Sequence, residues 1–122
     1  MEKPVDGALC HAEIPAEDVA RAKTFYAECF GWTYNDIPEM NYTIFSSGQG
    51  GIGGGFMKKG EQSPPHPVNY ISCDDLDASA ERVTNNGGKI VVPKMEVGEA
   101  GWMSIATDTE GNTIGLWQGK GG

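Results

Sequence analysis

His11 and Glu13 stand two residues apart in the run Leu9-Cys10-His11-Ala12-Glu13-Ile14. An extended chain sends alternate side chains to one side, so the imidazole and the carboxylate share a face, and Cys10, Ala12 and Ile14 share the other. Such a pair can donate and accept protons near neutral pH. His11 could also serve as one metal ligand, but Zn²⁺, Ni²⁺ or Fe²⁺ needs at least three protein ligands. The other histidine, His66, lies between Pro65 and Pro67 and precedes its strand by two residues. Residues 50–55 are rich in glycine yet lack the Lys-Ser/Thr ending and following helix of a phosphate loop. Glycines at Gly53, Gly55 and Gly115 read instead as inward strand positions that leave room for a ligand.

Those residues need elements to hold them. Residues 9–14 alternate as a strand that Pro15 breaks. Asp18 then precedes Val19, Ala22, Tyr26 and Cys29 at helical spacing, and Gly31 closes the helix. Short strands are expected at 32–37 and 41–46, and the glycine-rich segment running to Met57 completes a first half. The stretch 58–67, with Gly60, Pro64, Pro65 and Pro67, is the best linker candidate. The plan then repeats. A strand is expected at 68–73, and a helix starts at Asp74-Asp75 with Leu76, Ala80 and Val83 on one face. Strands follow at 89–92, 102–107 and 113–118, the last two joined by the turn Asp108-Thr109-Glu110-Gly111-Asn112.

A shift of 57 residues places His11 on Val68, Ile14 on Ile71, Asp18 on Asp75 and Gly31 on Gly88. Ile52-Gly53 falls on Ile114-Gly115 with a shift of 62. This is the signature of an internal duplication. The fold class is α+β, one domain of two βαβββ modules, about 7–58 and 67–118. The two sheets are expected to curve around each other as a cup with the helices outside, and a cup is a natural ligand site. By alternation Met57, Tyr70 and Trp117 join His11, Glu13 and Val68 on its inner face. Tyr42, Trp102 and Met103 are expected at its rim or wall, giving an aromatic lining suited to a partly hydrophobic small molecule.

Composition narrows the function. The chain has 122 residues, 39% hydrophobic and 21% charged, enough to build a core without staples. Its net charge of −8 and pI near 4.6 disfavour nucleic acid and anionic membranes as partners. No apolar run is long enough to span a bilayer and no signal peptide is visible, so a cytoplasmic location is expected. Three cysteines, Cys10, Cys29 and Cys73, are odd in number and set among apolar neighbours, which reads as buried reduced thiols.

The run His11-Ala12-Glu13-Ile14-Pro15-Ala16-Glu17-Asp18-Val19-Ala20-Arg21-Ala22-Lys23-Thr24-Phe25-Tyr26, followed by Phe30-Gly31-Trp32, resembles the opening of the vicinal oxygen chelate superfamily. So does the closing run Asp108-Thr109-Glu110-Gly111-Asn112-Thr113-Ile114-Gly115-Leu116-Trp117. That superfamily contains glyoxalase I, extradiol dioxygenases and the bleomycin and fosfomycin resistance proteins. The resemblance implies the glyoxalase/bleomycin resistance fold from Gly7 to Gln118. Active members hold a divalent metal with His or Glu from the first and last strands of each module. The matching positions here are His11, Val68, Gly53 (or Gly54) and Gly115, so one ligand of four survives and no metal or other cofactor is expected.

Three functions are compatible with these residues. The first is a metal-free small-molecule binding protein, by analogy with resistance members that sequester drugs. The second is a lyase or isomerase with His11 and Glu13 as acid and base. The third is an interaction module with a vestigial cavity. The resemblance also implies a homodimer, since the cups of that superfamily leave sheet edges that pair across a two-fold axis.

Overall fold

Two aspartates start the two helices. Asp18 lies in extended backbone ahead of α1 (Val19–Phe30), and its carboxylate accepts the Arg21 N–H at 3.0 Å. Asp75 stands the same way before α2 (Leu76–Asn85) and accepts from Ala78 N–H at 3.1 Å. Each satisfies one of the amides that a first helical turn leaves unpaired. Gly31 ends α1 at a φ of 74°, a left-handed conformation that suits a residue without a Cβ.

The computed structural model describes residues 4–40, 42–60 and 65–120. Module one comprises β1 (Leu9–Ala16), α1, β2 (Thr33–Ile37), a 3-10 turn (Pro38–Met40), β3 (Tyr42–Ser46) and β4 (Gly54–Lys58). Module two comprises β5 (Val68–Ser72), α2, β6 (Lys89–Val97), β7 (Gly101–Thr107) and β8 (Thr113–Gly119). The α+β reading with two βαβββ modules holds. Strands lie in the order β2-β3-β4-β1 in module one and β6-β7-β8-β5 in module two. The first strand of each pairs in parallel with the last, β1 with β4 and β5 with β8. Asn41 and residues 61–64, which belong to the expected third strand and linker, lie outside the described residues. No helix among the described residues is long and apolar enough to cross a membrane.

The chain divides into two compact units, residues 10–68 and residues 69–122 together with those before Cys10. The boundary expected near residue 7 therefore moves, because the N-terminal segment is bonded into module two. Gly7 N–H donates to Ser72 O at 2.7 Å, and Ser72 N–H to Ala8 O at 2.8 Å. Asp74 N–H adds a bond to the Asp6 carboxylate at 2.8 Å.

Three local expectations are corrected. Pro15 does not end β1, which runs on to Ala16. Ala12 N–H bonds Gly53 O on the β4 side, so by alternation the amides of residues 14 and 16 also point there. The missing N–H of Pro15 faces away from β4 and costs that ladder nothing. β6 continues past Val92 to Val97, with register irregularities on either side of Val92 that carry it through Pro93. Cys29 is exposed on α1, whereas Cys73 is buried and Cys10 half-buried.

The duplication is cleaner in space than in the sequence alignment. Glu13 pairs with Gly55 in module one and Tyr70 with Gly115 in module two. The first strands therefore match at a shift of 57 but the last strands at 60, not 62. Gly55 matches Gly115, Phe56 matches Leu116 and Met57 matches Trp117.

Each module fills the space under its helix differently. In module one Tyr26 stacks on Trp32 at 4.5 Å between ring centroids, and Trp32 on Phe45 at 4.4 Å. Phe56, fully buried, lies 5.6 Å from Tyr26 and 5.3 Å from Phe45. Module two uses Cys73, Leu76 and Leu116, with Ala80, Val83, Ile90 and Trp102 packed against them. Phe56→Ala should therefore cost about 3–5 kcal/mol of stability, read as a lower urea midpoint with an unchanged slope. Asp75→Ala should cost about 1 kcal/mol through loss of its cap.

Candidate functional site

On the helix-free face of module one, three polar side chains form a chain of hydrogen bonds. β1 supplies His11 and Glu13, and β3 supplies Tyr42. Tyr42 Oη donates to Glu13 Oε2 at 3.1 Å and lies 2.8 Å from His11 Nε2. A phenol has one proton, so when it is given to Glu13 the imidazole must donate through Nε2. In that arrangement His11 carries its proton on Nε2. The two rings lie nearly parallel, 19° apart with centroids 6.4 Å apart.

Gly55 makes this arrangement possible. It pairs with Glu13 on one side and with Ile44 on the other, so its missing side chain would rise on the same face as Tyr42. A Cβ built there would run into the Oη and ring carbons of Tyr42. The glycine expected to clear room for a ligand instead clears room for a phenol of the same chain. Gly53 lies outside β4, and a Cβ there would meet Phe45 O at 3.0 Å. The position that matches Gly115 is Gly55, neither Gly53 nor Gly54.

Module two repeats the device. Gly115 lies beneath Tyr70, since a Cβ there would strike the tyrosine ring. Tyr70 is buried, and it takes the place in β5 that Glu13 takes in β1. Trp117, the counterpart of Met57, is paired with Met103 and lies over Gly101, whose built Cβ would approach its Cζ2 at 2.9 Å. The pairing puts Met57, Tyr70, Trp117 and Val68 on the helix-free faces of their modules.

Trp102 does not join them. It pairs with Gln118, one residue out of phase with Trp117, and packs under α2 against the Leu76–Leu116 core. Lys94 and Lys120 cover its ring at 5.2 and 5.1 Å from the centroid, so its role is a structural cation–π clamp. The placement of Trp102 expected at the wall of the inner face is corrected on that ground, since it lies on the helix side. Tyr42 was legible as a wall residue, but its bonds to His11 and Glu13 were not, because they join strands 29 to 31 residues apart. His66 bonds only its neighbour Pro67 O, at 3.1 Å, among its described contacts.

A metal does not fit this donor set. Of the four positions implied by the resemblance, with Gly55 taking the place expected for Gly53 or Gly54, Val68, Gly55 and Gly115 carry no side-chain donor, and tyrosine rings cover both glycines. Among the described residues no group of three or more His, Cys, Asp or Glu side chains could hold a metal ion. What remains is a hydrogen-bonding face. Burial pushes the His11 pKa below its ordinary 6.5, keeping the ring neutral at pH 7.

Comparison with known proteins agrees with this architecture. A family model described as the Glyoxalase/Bleomycin resistance protein/Dioxygenase superfamily matches residues 8–116. A glyoxylase-like domain-containing protein of Didymella fabae is 37% identical over 116 residues, 88% of this chain and 90% of that one. The Mycobacterium tuberculosis protein CFP32 is 35% identical over 113 residues, 87% of this chain. The chain spans 43% of the length of that mycobacterial relative. Among solved structures, methylmalonyl-CoA epimerase from Mycobacterium tuberculosis superposes with a TM-score of 0.71 at 17% identity, covering 94% of this chain and 89% of that one.

A half-buried, neutral histidine has a signed effect on stability. The unfolded chain takes up a proton at His11 near pH 6.5 where the folded protein does not. Stability should fall as pH drops through 6.5, levelling below the depressed folded value. Urea unfolding across this range should show the loss, and His11→Asn should remove that component.

Proposed function

We propose a function from one premise: the chain belongs to the glyoxalase/bleomycin resistance protein/dioxygenase superfamily. On that premise it is a small-molecule binding protein that works without a catalytic metal. The observation that carries this reading is the Tyr42 phenol, which takes the place beside His11 where a side chain at position 55 would project. The metal-binding face of the family is thereby turned into a chain of hydrogen-bonding groups, His11–Tyr42–Glu13. A carbonyl, hydroxyl or amide of the ligand would exchange into these bonds, and Met57 with the outward Ile44 would take its apolar part. Binding by hydrogen bonds and apolar contact needs no cofactor.

Gently purified protein should contain less than about one tenth of an equivalent of any transition metal by elemental analysis. Near-stoichiometric Zn, Ni, Fe or Mn after dialysis would reject the reading. Glyoxalase I activity should be absent. For any ligand found by native mass spectrometry, Tyr42→Phe should weaken binding about 5- to 20-fold, the usual worth of a buried hydrogen bond. Equal affinity in the variant would place the ligand elsewhere.

A second reading follows from the neutral imidazole. A histidine held neutral and wired through a phenol to a carboxylate can take a proton from a carbon acid, with Glu13 and Tyr42 orienting it. His11→Ala would then abolish turnover while binding changes little, whereas in a pure binder only affinity moves.

Pairing of two copies belongs to the same proposal. β6 is an edge strand of the module-two sheet, and Val91 and Met95 stand outward on it. Light scattering at micromolar concentration should give twice 13.0 kDa, and a mass of 13.0 kDa would reject it.

A further inference from the structure

The two modules share a backbone plan but do not fill it equally. Asp18 and Asp75 cap both helices, which aligns Tyr26 of α1 with Val83 of α2. The parallel strand pairs align Phe56 of β4 with Leu116 of β8. At both places module one has an aromatic ring, and the two rings are in contact at 5.6 Å. Module two has two aliphatic side chains, and both line a cleft of about 280 Å³ between α2 and β5–β8.

The walls of that cleft are apolar. Ile71 of β5 and Cys73 just beyond it, Ile114 and Leu116 of β8, and Val83 of α2 form them. Arg82 borders the same cleft. Its Nη2 donates to Ser79 Oγ at 3.1 Å, which holds the guanidinium in place and leaves its other N–H donors for an anion. Asp6 also borders the cleft, but its carboxylate is engaged by Asp74 N–H at 2.8 Å.

Size and charge select the occupant. A cavity of ~150 Å³ holds a benzene ring, and sites for drug-sized ligands begin near ~300 Å³. A cleft of about 280 Å³ suits one ring with a short substituent, not a nucleotide or a coenzyme. An apolar wall with one arginine favours a single negative charge on that substituent. We propose that the cleft under α2 is a second small-molecule site, one that takes a single-ring carboxylate in the space aromatic side chains fill in module one. It shares no residue with the His11–Tyr42–Glu13 face, so it stands or falls independently of the proposed function.

4-Fluorophenylacetate is a suitable probe, titrated into the full chain and followed by ¹⁹F and methyl NMR. Saturable binding at millimolar concentration is expected, with shifts at the methyls of Ile71, Val83, Ile114 and Leu116. Val83→Tyr, which restores the module-one ring, should weaken binding at least about tenfold by filling the cleft. Ile114→Phe narrows the opposite strand wall and gives a second variant should the first fail to fold. Arg82→Gln should weaken the acid about tenfold and leave 2-(4-fluorophenyl)ethanol unchanged. Absence of saturation, binding that survives both filling variants, or shifts centred on His11 and Tyr42 would each overturn the site. Equal affinity for the acid and the alcohol would overturn its preference for a carboxylate.

Discussion

A tyrosine ring laid over a strand glycine is the constraint on which the helix-free face of each module depends. Strand pairing brings the first and last strands of a module side by side, and it fixes which residue faces which. Opposite Glu13 stands Gly55, and opposite Tyr70 stands Gly115. Any Cβ at either glycine would occupy the volume of a phenol. Tyr42 and Tyr70 can lie where they do because these two positions are empty of side chain. In module one the consequence is chemical, since the phenol so placed meets His11 and Glu13.

The same constraint leaves one position in each module, Gly55 and Gly115, without a side-chain donor. In each module the parallel pairing of first and last strands sets two positions side by side. A hydrogen-bonding hydroxyl covers the glycine of module one and a tyrosine ring that of module two. His11, half-buried and neutral, is bonded through Nε2 to the Tyr42 phenol oxygen.

The duplication set the backbone, and packing then diverged under each helix. Module one closes its core with stacked rings, which are large and stiff and leave little space. Module two closes one end of its core with Trp102 beneath Lys94 and Lys120, tied to Asp77 and Glu96. Its other end, bounded by Val83 and Leu116, stays open as a cleft. Cavities of this kind arise where small residues replace large ones and a rigid sheet cannot collapse to fill the gap.

Local chemistry made much of the fold legible. Asp18, Asp75 and Gly31 mark helix ends because caps and left-handed turns depend on neighbouring residues alone. The turn at Asp108 was readable for the same reason, its carboxylate accepting from the amides of Glu110 and Asn112. Alternation placed His11 with Glu13 and Met57 on the helix-free side, because side-chain direction in a strand follows from period two. The phase of Trp102, the passage of β1 through Pro15 and the match of Gly55 to Gly115 were not readable. Each depends on which strand lies alongside and in what register, and loops of unequal length conceal register from a linear alignment. The bonds that join His11, Tyr42 and Glu13 depend on the same thing. The sequence determined which residues could do chemistry and on which face of their own strand they lie. Only the tertiary structure decided which of them touch, because contact between distant segments is set by strand pairing and by the volume a neighbouring glycine leaves free.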